Sequence, residues 1–208
     1  GDTPADYVDS IKILIFFTML TLLPSFIIMF TSFTRITVVF SLLKNAIGAQ
    51  QSIPSQILVG LAIFLTIFIM QPVYTEINEV ALKPYSNEEI TFEQALENAS
   101  NPIKDFMLKE TRQKDLELFV DAAKLNSGEL TRKNIPLYSI VPAFAISELK
   151  TAFQIGFLLF VPFMVIDMIV ASVLMSMGMM MLPPTVISLA FKLLLFVMVD
   201  GWNLIVKS

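Results

Sequence analysis

Between Lys12 and Arg35 the chain runs from Ile13 to Thr34 without a charged residue. As a helix at 1.5 Å per residue that run spans about 33 Å, close to the roughly 30 Å of hydrocarbon in a bilayer. Pro24 sits in its middle and predicts a kink. Asn45–Thr75 is also charge-free; its apolar heart is Ile57–Met70, and Pro54 and Pro72 predict the ends of a helix there. A second apolar part begins near Val141. Thr151–Ile166 and Met168–Phe191 are charge-free on either side of Asp167, and Pro183-Pro184 must break the chain because neither proline offers an amide hydrogen. Val186–Val206 is the last apolar stretch, interrupted by Lys192 and Asp200.

Too little polar sequence exists to cover four such segments as core helices of a soluble protein. The 208 residues are 55% hydrophobic and 15% charged, with mean hydropathy +0.73, against about 25% charged in average soluble domains. Of 14 basic and 18 acidic residues, 22 lie between Glu76 and Lys150. The prediction is an all-α, membrane-associated chain in four parts. A polar lead-in covers 1–12, a first hydrophobic helical hairpin 13–75, a soluble helical subdomain 76–140, and a second hydrophobic hairpin 141–208.

Charge placement predicts a topology. The link Arg35–Gln51 holds Arg35, Lys44 and no acid, which favours the cytoplasm. The start, with Asp2, Asp6 and Asp9, and the acidic middle part are then expected outside. Opening at Gly1 with no methionine and no basic start is expected of a mature form whose signal peptide has been removed, with a trimmed chain as the alternative.

Several chemistries are excluded. With no Cys and no His, the chain has no disulfide, thiolate or imidazole chemistry and no Zn or haem ligand set of the usual kind. A net charge of −4 and a pI near 4.8 argue against nucleic acid as a partner. No GxxxxGK or GxGxxG occurs. No cofactor, metal or catalytic residue is expected.

The polar middle reads as helical. Thr91 followed by Gln94 fits a capping box, with Ser86 and Glu89 as a competing start. Pro102 suits the first turn of another helix. From Ile103 to Ala123, Phe106, Met107, Leu116, Phe119, Val120 and Ala123 recur at helical spacing and predict an amphipathic helix. Ser127-Gly128 should end the stretch that follows. Glu88, Glu89, Glu93 and Glu97 are expected to form a solvated face.

Charges inside apolar runs need partners. An ionised Asp at the centre of a membrane helix costs roughly 2.5–3.5 kcal/mol, and Asp167, Lys192 and Asp200 all meet that difficulty. Asp167 and Lys192 have opposite sign and flank the Pro183-Pro184 break. Pairing within one chain or across a subunit contact would satisfy both. Glu148 and Lys150 are expected at the interface that opens the third apolar segment, with subunit contacts as a second role. Arg35 is expected to mark a membrane boundary. A structural role for these charges is favoured over a proton or ion relay. An aspartyl-protease pair of Asp167 and Asp200 fits least, since neither sits in a Gly-x-Gly-Asp setting.

Methionine is the other anomaly: eight of the 12 fall after residue 160, and Met175, Met177, Met179, Met180 and Met181 fall within seven positions. Unbranched and polarizable, Met repacks around varied surfaces. Held in a loop and repeated around a ring, these side chains would make a soft apolar constriction. The alternative is that they fill lipid-facing or core space.

Long motifs add a resemblance. Met29-Phe30-Thr31-Ser32-Phe33-Thr34-Arg35-Ile36, Asn45-Ala46-Ile47-Gly48-Ala49-Gln50-Gln51, Val59-Gly60-Leu61-Ala62 and Met70-Gln71-Pro72-Val73 resemble the FliP family of flagellar type III export gate membrane proteins. So do Pro142-Ala143-Phe144-Ala145-Ile146-Ser147-Glu148-Leu149-Lys150 and Val161-Pro162-Phe163. Ser176-Met177-Gly178-Met179-Met180-Met181-Leu182-Pro183-Pro184, Phe191-Lys192-Leu193 and Val199-Asp200-Gly201-Trp202 continue it. The likeness covers nearly the whole chain from Ile13, and the injectisome protein SctR shares the pattern. Two departures stand out: the sequence opens without the leader that many members carry, as expected of a processed chain, and Ala190 stands where the family is expected to have proline.

The resemblance implies a ring of like subunits, completed by FliQ-like and FliR-like proteins, in the flagellar basal body of the bacterial inner membrane. Such a ring passes unfolded flagellar subunits. The resemblance makes Met177, Met179, Met180 and Met181 a gasket around the pore and makes Glu148, Lys150, Asp167 and Lys192 contacts between subunits. It also implies that the hairpins fold into a tall helical shell, so that apolar segments pack on other subunits as well as lipid. The middle subdomain would be periplasmic. An ion or proton transporter and a purely structural membrane scaffold are the alternatives.

Overall fold

The computed structural model describes residues 4–50, 52–125, 131, 134–179 and 181–207, with side chains from residue 11 onward. Among these residues every regular element is a helix and no strand occurs. In chain order they are α1 (Pro4–Phe30), α2 (Phe33–Ile47), α3 (Ser55–Ile77), a π-helical turn (Asn78–Leu82) and α4 (Lys83–Ser86). Then come α5 (Phe92–Glu110), α6 (Gln113–Ala122), α7 (Leu137–Ser176), α8 (Pro184–Met198) and α9 (Gly201–Lys207).

Three helical stretches are long and apolar enough to cross a membrane: Ile11–Phe30, Ser55–Ser86 and Leu137–Ser176. A fourth arises if α8 and α9, bent by 61° at their junction, count as one broken span. Several hydroxyls inside these helices bond back to the preceding turn, as an apolar surrounding favours. Thr18 Oγ1 donates to Leu14 O (2.8 Å), Thr75 Oγ1 to Gln71 O (2.9 Å) and Ser172 Oγ to Met168 O (2.8 Å). The 40 residues of α7 extend about 60 Å at 1.5 Å per residue, twice the roughly 30 Å hydrocarbon layer. A helix this long and this apolar must bury part of its length against something other than lipid.

Several helix ends differ from the sequence expectation. The first apolar run ends at Phe30 because threonines take over its last carbonyls. Thr34 Oγ1 donates to Ile28 O (2.8 Å) and Thr31 Oγ1 to Ile27 O, while Thr31 Oγ1 also accepts from Phe33 N and starts α2. The segment read as a link is therefore largely helical. Pro24 lies inside a continuous α1. Pro72 does not end α3, which runs through it to Ile77. In an apolar helix one missing N–H is tolerated when nearby groups serve the freed carbonyls. The same principle is visible at Pro84, which has no N–H to offer Val80 O. Asn98 Nδ2 of α5 donates to that carbonyl instead (3.0 Å).

In the middle part the capping box stands as expected. Gln94 N donates to Thr91 Oγ1 (3.3 Å), Thr91 N donates to Gln94 Oε1 (3.0 Å), and α5 begins at Phe92. Ser86 ends α4 and starts nothing. Pro102 lies inside α5 and is buried there, not at a helix start, because the Thr91 cap has already opened the helix. The single amphipathic helix expected over 103–123 is two. Thr111 and Arg112 are extended, and Thr111 Oγ1 bonds back to Met107 O (2.6 Å) to close α5. Glu88, Glu89, Glu93 and Glu97 are exposed. The stop expected at Ser127-Gly128 lies outside the described residues.

Packing divides the chain into two compact units: Gly1–Thr34 with Thr66–Glu148, and Arg35–Leu65 with Leu149–Ser208. The boundaries fall inside α2, α3 and α7. In the first unit Met107, Ile140 and Phe144 are enclosed together with Ile135, and Phe106 meets Phe144 edge-on at 5.9 Å. In the second, Leu43, Ala46, Ile47 and Ala49 of α2 and its C-terminal turn pack with Phe163 of α7 and Phe196 of α8. Trp202 stands edge-on to Phe196 at 5.3 Å.

Candidate functional site

The segment joining α7 to α8 carries the methionines. Its start is a helix stop built around Gly178, whose φ of +72° is the left-handed conformation that glycine adopts without penalty. Gly178 N donates to Met175 O (3.1 Å) and Met179 N to Leu174 O (3.0 Å). This paired pattern satisfies the last carbonyls of α7 and turns the chain out of the helix. At the far end Pro183 is extended and Pro184 occupies the first turn of α8, where its fixed φ suits the helix and its missing N–H costs nothing.

The chain between these stops holds Met177, Met179 and Met181, all exposed, the last at 98%. Met175 precedes them on the last turn of α7 and is also exposed. Met180 lies outside the described residues. Exposed thioethers on a non-helical segment, with no charge from Met168 to Phe191, form a soft apolar surface that the chain itself does not cover.

About two and a half turns back from the end of α7, the two charges read as candidates meet. Lys192 Nζ of α8 stands 2.6 Å from Asp167 Oδ2 of α7, with Lys192 only 7% exposed and Asp167 38%. The pair closes within one chain. Beside it the two helices line a wholly apolar cavity of about 400 Å³ formed by Ile166, Ile169, Val170, Val173, Ile187 and Phe191 among others. In such surroundings each charge compensates the desolvation of the other. Asp167 Oδ1 is buried with no hydrogen-bond partner among the described residues.

The remaining charged candidates separate. Glu148 is fully buried by its own chain. The inward face of α7 also carries Ala143, Phe144, Ser147 and Ala152, all enclosed. Lys150, two residues on, is exposed. Asp200 is exposed at the bend between α8 and α9. Its φ is +51°, a conformation Asp tolerates better than most residues, and it accepts a hydrogen bond from Asn203 Nδ2 (3.1 Å). Asp167 and Asp200 therefore serve different partners and form no acid pair.

Two relationships had no sequence signal. Ser147 Oγ donates to the buried Asp115 Oδ2 (2.8 Å) and accepts from Arg112 N (3.0 Å), fastening the start of α6 to α7. Gly156 of α7 faces Leu42 of α2 so closely that a Cβ there would stand 2.2 Å from Leu42 Cδ1. A carboxylate among solvated charges and a lone glycine in a helix name no partner by themselves.

Comparison with known proteins gives one consistent result. The model of the FliP family matches residues 16–208. The flagellar biosynthetic protein FliP of Bacillus subtilis (strain 168) is 55% identical over 205 residues, covering 99% of this chain and 92% of that protein. FliP of Aquifex aeolicus (strain VF5) is 52% identical, covering 97% and 84%. FliP of Pectobacterium carotovorum subsp. carotovorum is 49% identical, covering 96% and 77%.

Proposed function

Because the chain belongs to the FliP family, we propose that it is a subunit of the flagellar type III protein export gate, embedded in the bacterial inner membrane at the basal body. Copies of it form a ring with FliQ-like and FliR-like subunits, and unfolded flagellar proteins pass through the centre. The methionine segment between α7 and α8 carries this reading. Non-helical backbone at membrane depth is stable only where it lines a cavity or is buried in protein, and here it bears exposed thioethers and no charge. Brought together around an axis, Met177, Met179, Met180 and Met181 would seal against water and ions and still yield to a passing chain.

The helices support the assembly. Ile11–Phe30 presents apolar side chains all round, and α7 is about twice the length of the hydrocarbon layer. Neighbouring subunits and lipid share that surface in a tall helical shell. Lys150, exposed on α7, and the partly exposed Asp167 of the Asp167–Lys192 pair would meet a neighbour. Glu148, enclosed by its own chain, acts on such contacts only through α7. The acidic middle subdomain lies on the periplasmic side, opposite the basic link with Arg35 and Lys44.

The test is the ion permeability of the assembled gate in vesicles. Replacing Met177, Met179 and Met181 together by alanine removes the side chains that fill the constriction, and ions should leak through the closed gate. A triple variant as tight as the parent would sink the gasket reading.

A further inference from the structure

The polar middle part leaves an apolar face uncovered. Tyr85 of α4 and Phe92 of α5 meet edge-on, their ring centroids 5.9 Å apart. Leu82 lies one turn before Tyr85 and Leu96 one turn after Phe92, and all four side chains are exposed. The face is firmly built. α4, the π-helical turn and α5 pack on one another, the Thr91–Gln94 cap fixes the start of α5, and Asn98 Nδ2 ties α5 to Val80 O. This end also stands clear of hydrocarbon. Ser55–Ser86 extends about 48 Å as a helix, well beyond a roughly 30 Å layer, and Glu76, Glu79 and Lys83 all lie in its last part.

An exposed apolar patch rimmed by charge marks an interaction surface, and here the rim says what the surface accepts. Glu93 and Glu97 stand one position on from Phe92 and Leu96. Residues four apart share a helix face, so an acidic ridge runs beside the apolar one. Glu88 and Glu89 continue it before α5, all four acids are exposed, and Lys83 is the only base from Leu82 to Glu97. From these two ridges we infer that the face from Leu82 to Glu97 docks a cationic amphipathic helix of another polypeptide. The apolar ridge of that helix lies on Phe92 and Leu96, and its Lys or Arg ridge lies along the glutamates. Apolar helix faces are commonly recognised this way; the aromatic rings supply the anchor and the acids select and orient the partner. A second copy of this chain does not supply the helix. α5 and α6 each carry more acids than bases, and the two bases of α2, Arg35 and Lys44, lie nine residues apart on opposite faces. An anionic lipid surface is repelled by the same glutamates. The inference does not rest on the pore reading.

The experiment uses the full chain purified in an uncharged detergent, with a fluorescein-labelled helical peptide that carries a leucine ridge beside a lysine ridge as the probe. Fluorescence anisotropy reads binding. Uptake of the peptide by micelles is common to parent and variants, so the difference between them is the measurement. Glu93→Lys/Glu97→Lys should weaken binding about tenfold, and Phe92→Ala/Leu96→Ala should weaken it as well. A second peptide with glutamate in place of lysine should reverse the order and prefer the Glu93→Lys/Glu97→Lys chain, an exchange of preference that a misfolded variant would not produce. The chain has no Cys, so Leu96→Cys places a unique thiol on the face. Equal binding of the lysine peptide by the parent and both variants would overturn the inference. So would disulfide-linked dimers of Leu96→Cys in the extracted oligomer, which put a second copy on the face. Quenching of a bimane on that thiol by nitroxide-labelled lipid in vesicles would overturn it too, by putting lipid there.

Discussion

Lys192 Nζ meets Asp167 Oδ2 at 2.6 Å, joining two helices whose connecting segment carries the methionines. The contact fixes α8 against α7 at a point where neither helix can present a charge to lipid without cost. Lys192 is nearly enclosed, so deleting its partner strands a positive charge. Because Asp167 is still 38% exposed, Asp167→Ala should destabilise the second unit by about 1–3 kcal/mol, less than breaking a fully enclosed pair. Replacing both residues by apolar side chains of similar size should restore most of that stability, and reversing both charges should restore part. Thermal unfolding of the detergent-solubilised chain measures all three variants. Equal losses for the single and the double variants would show that the pair itself contributes nothing.

Gly156 permits the close approach of α7 to Leu42 of α2. An added Cβ would lie 2.2 Å from Leu42 Cδ1 and 3.0 Å from Leu42 Cβ. Rotating the leucine relieves the first contact but not the second, so the helices must separate. Gly156→Val should cost about 1–3 kcal/mol, the range of overpacked cores. Leu42→Ala in the same chain should recover much of it. A double-mutant cycle with no coupling energy would show that the two positions do not meet.

Ser147 links α7 to the start of α6 through Asp115 and Arg112 N. Removing its hydroxyl takes a donor from a buried carboxylate and an acceptor from a backbone amide. Ser147→Ala should cost about 1–3 kcal/mol and loosen the junction at Thr111–Arg112. Limited proteolysis with trypsin would then cleave after Arg112 sooner than in the parent; unchanged cleavage kinetics would rule the link unimportant.

Thr91 opens α5 through a reciprocal pair of hydrogen bonds with Gln94. Thr91→Ala should destabilise that helix start by about 1 kcal/mol, and Thr91→Ser should be nearly neutral. Amide hydrogen exchange at the first turn of α5 reads the difference. Matching protection in the alanine and serine variants would count against the cap.

Much of this molecule was legible in its residue order. Charge-free runs marked the apolar helices, because a membrane or a buried interface excludes charge whatever the tertiary detail. The Thr91–Gln94 spacing marked the start of α5, because a cap is made by residues three apart. Opposite signs at Asp167 and Lys192 made them candidates for each other, since isolated charges in apolar runs need partners. The tertiary structure decided what pattern could not. It set whether Pro72 and Pro102 end a helix or lie within one, because the outcome depends on the packing and hydrogen bonds around each helix. It enclosed Glu148, and it brought Asp115 to Ser147 and Gly156 to Leu42. Those relationships join residues 32 and more positions apart. Local spacing carries no information about them, because they arise only when whole helices choose which faces to press together.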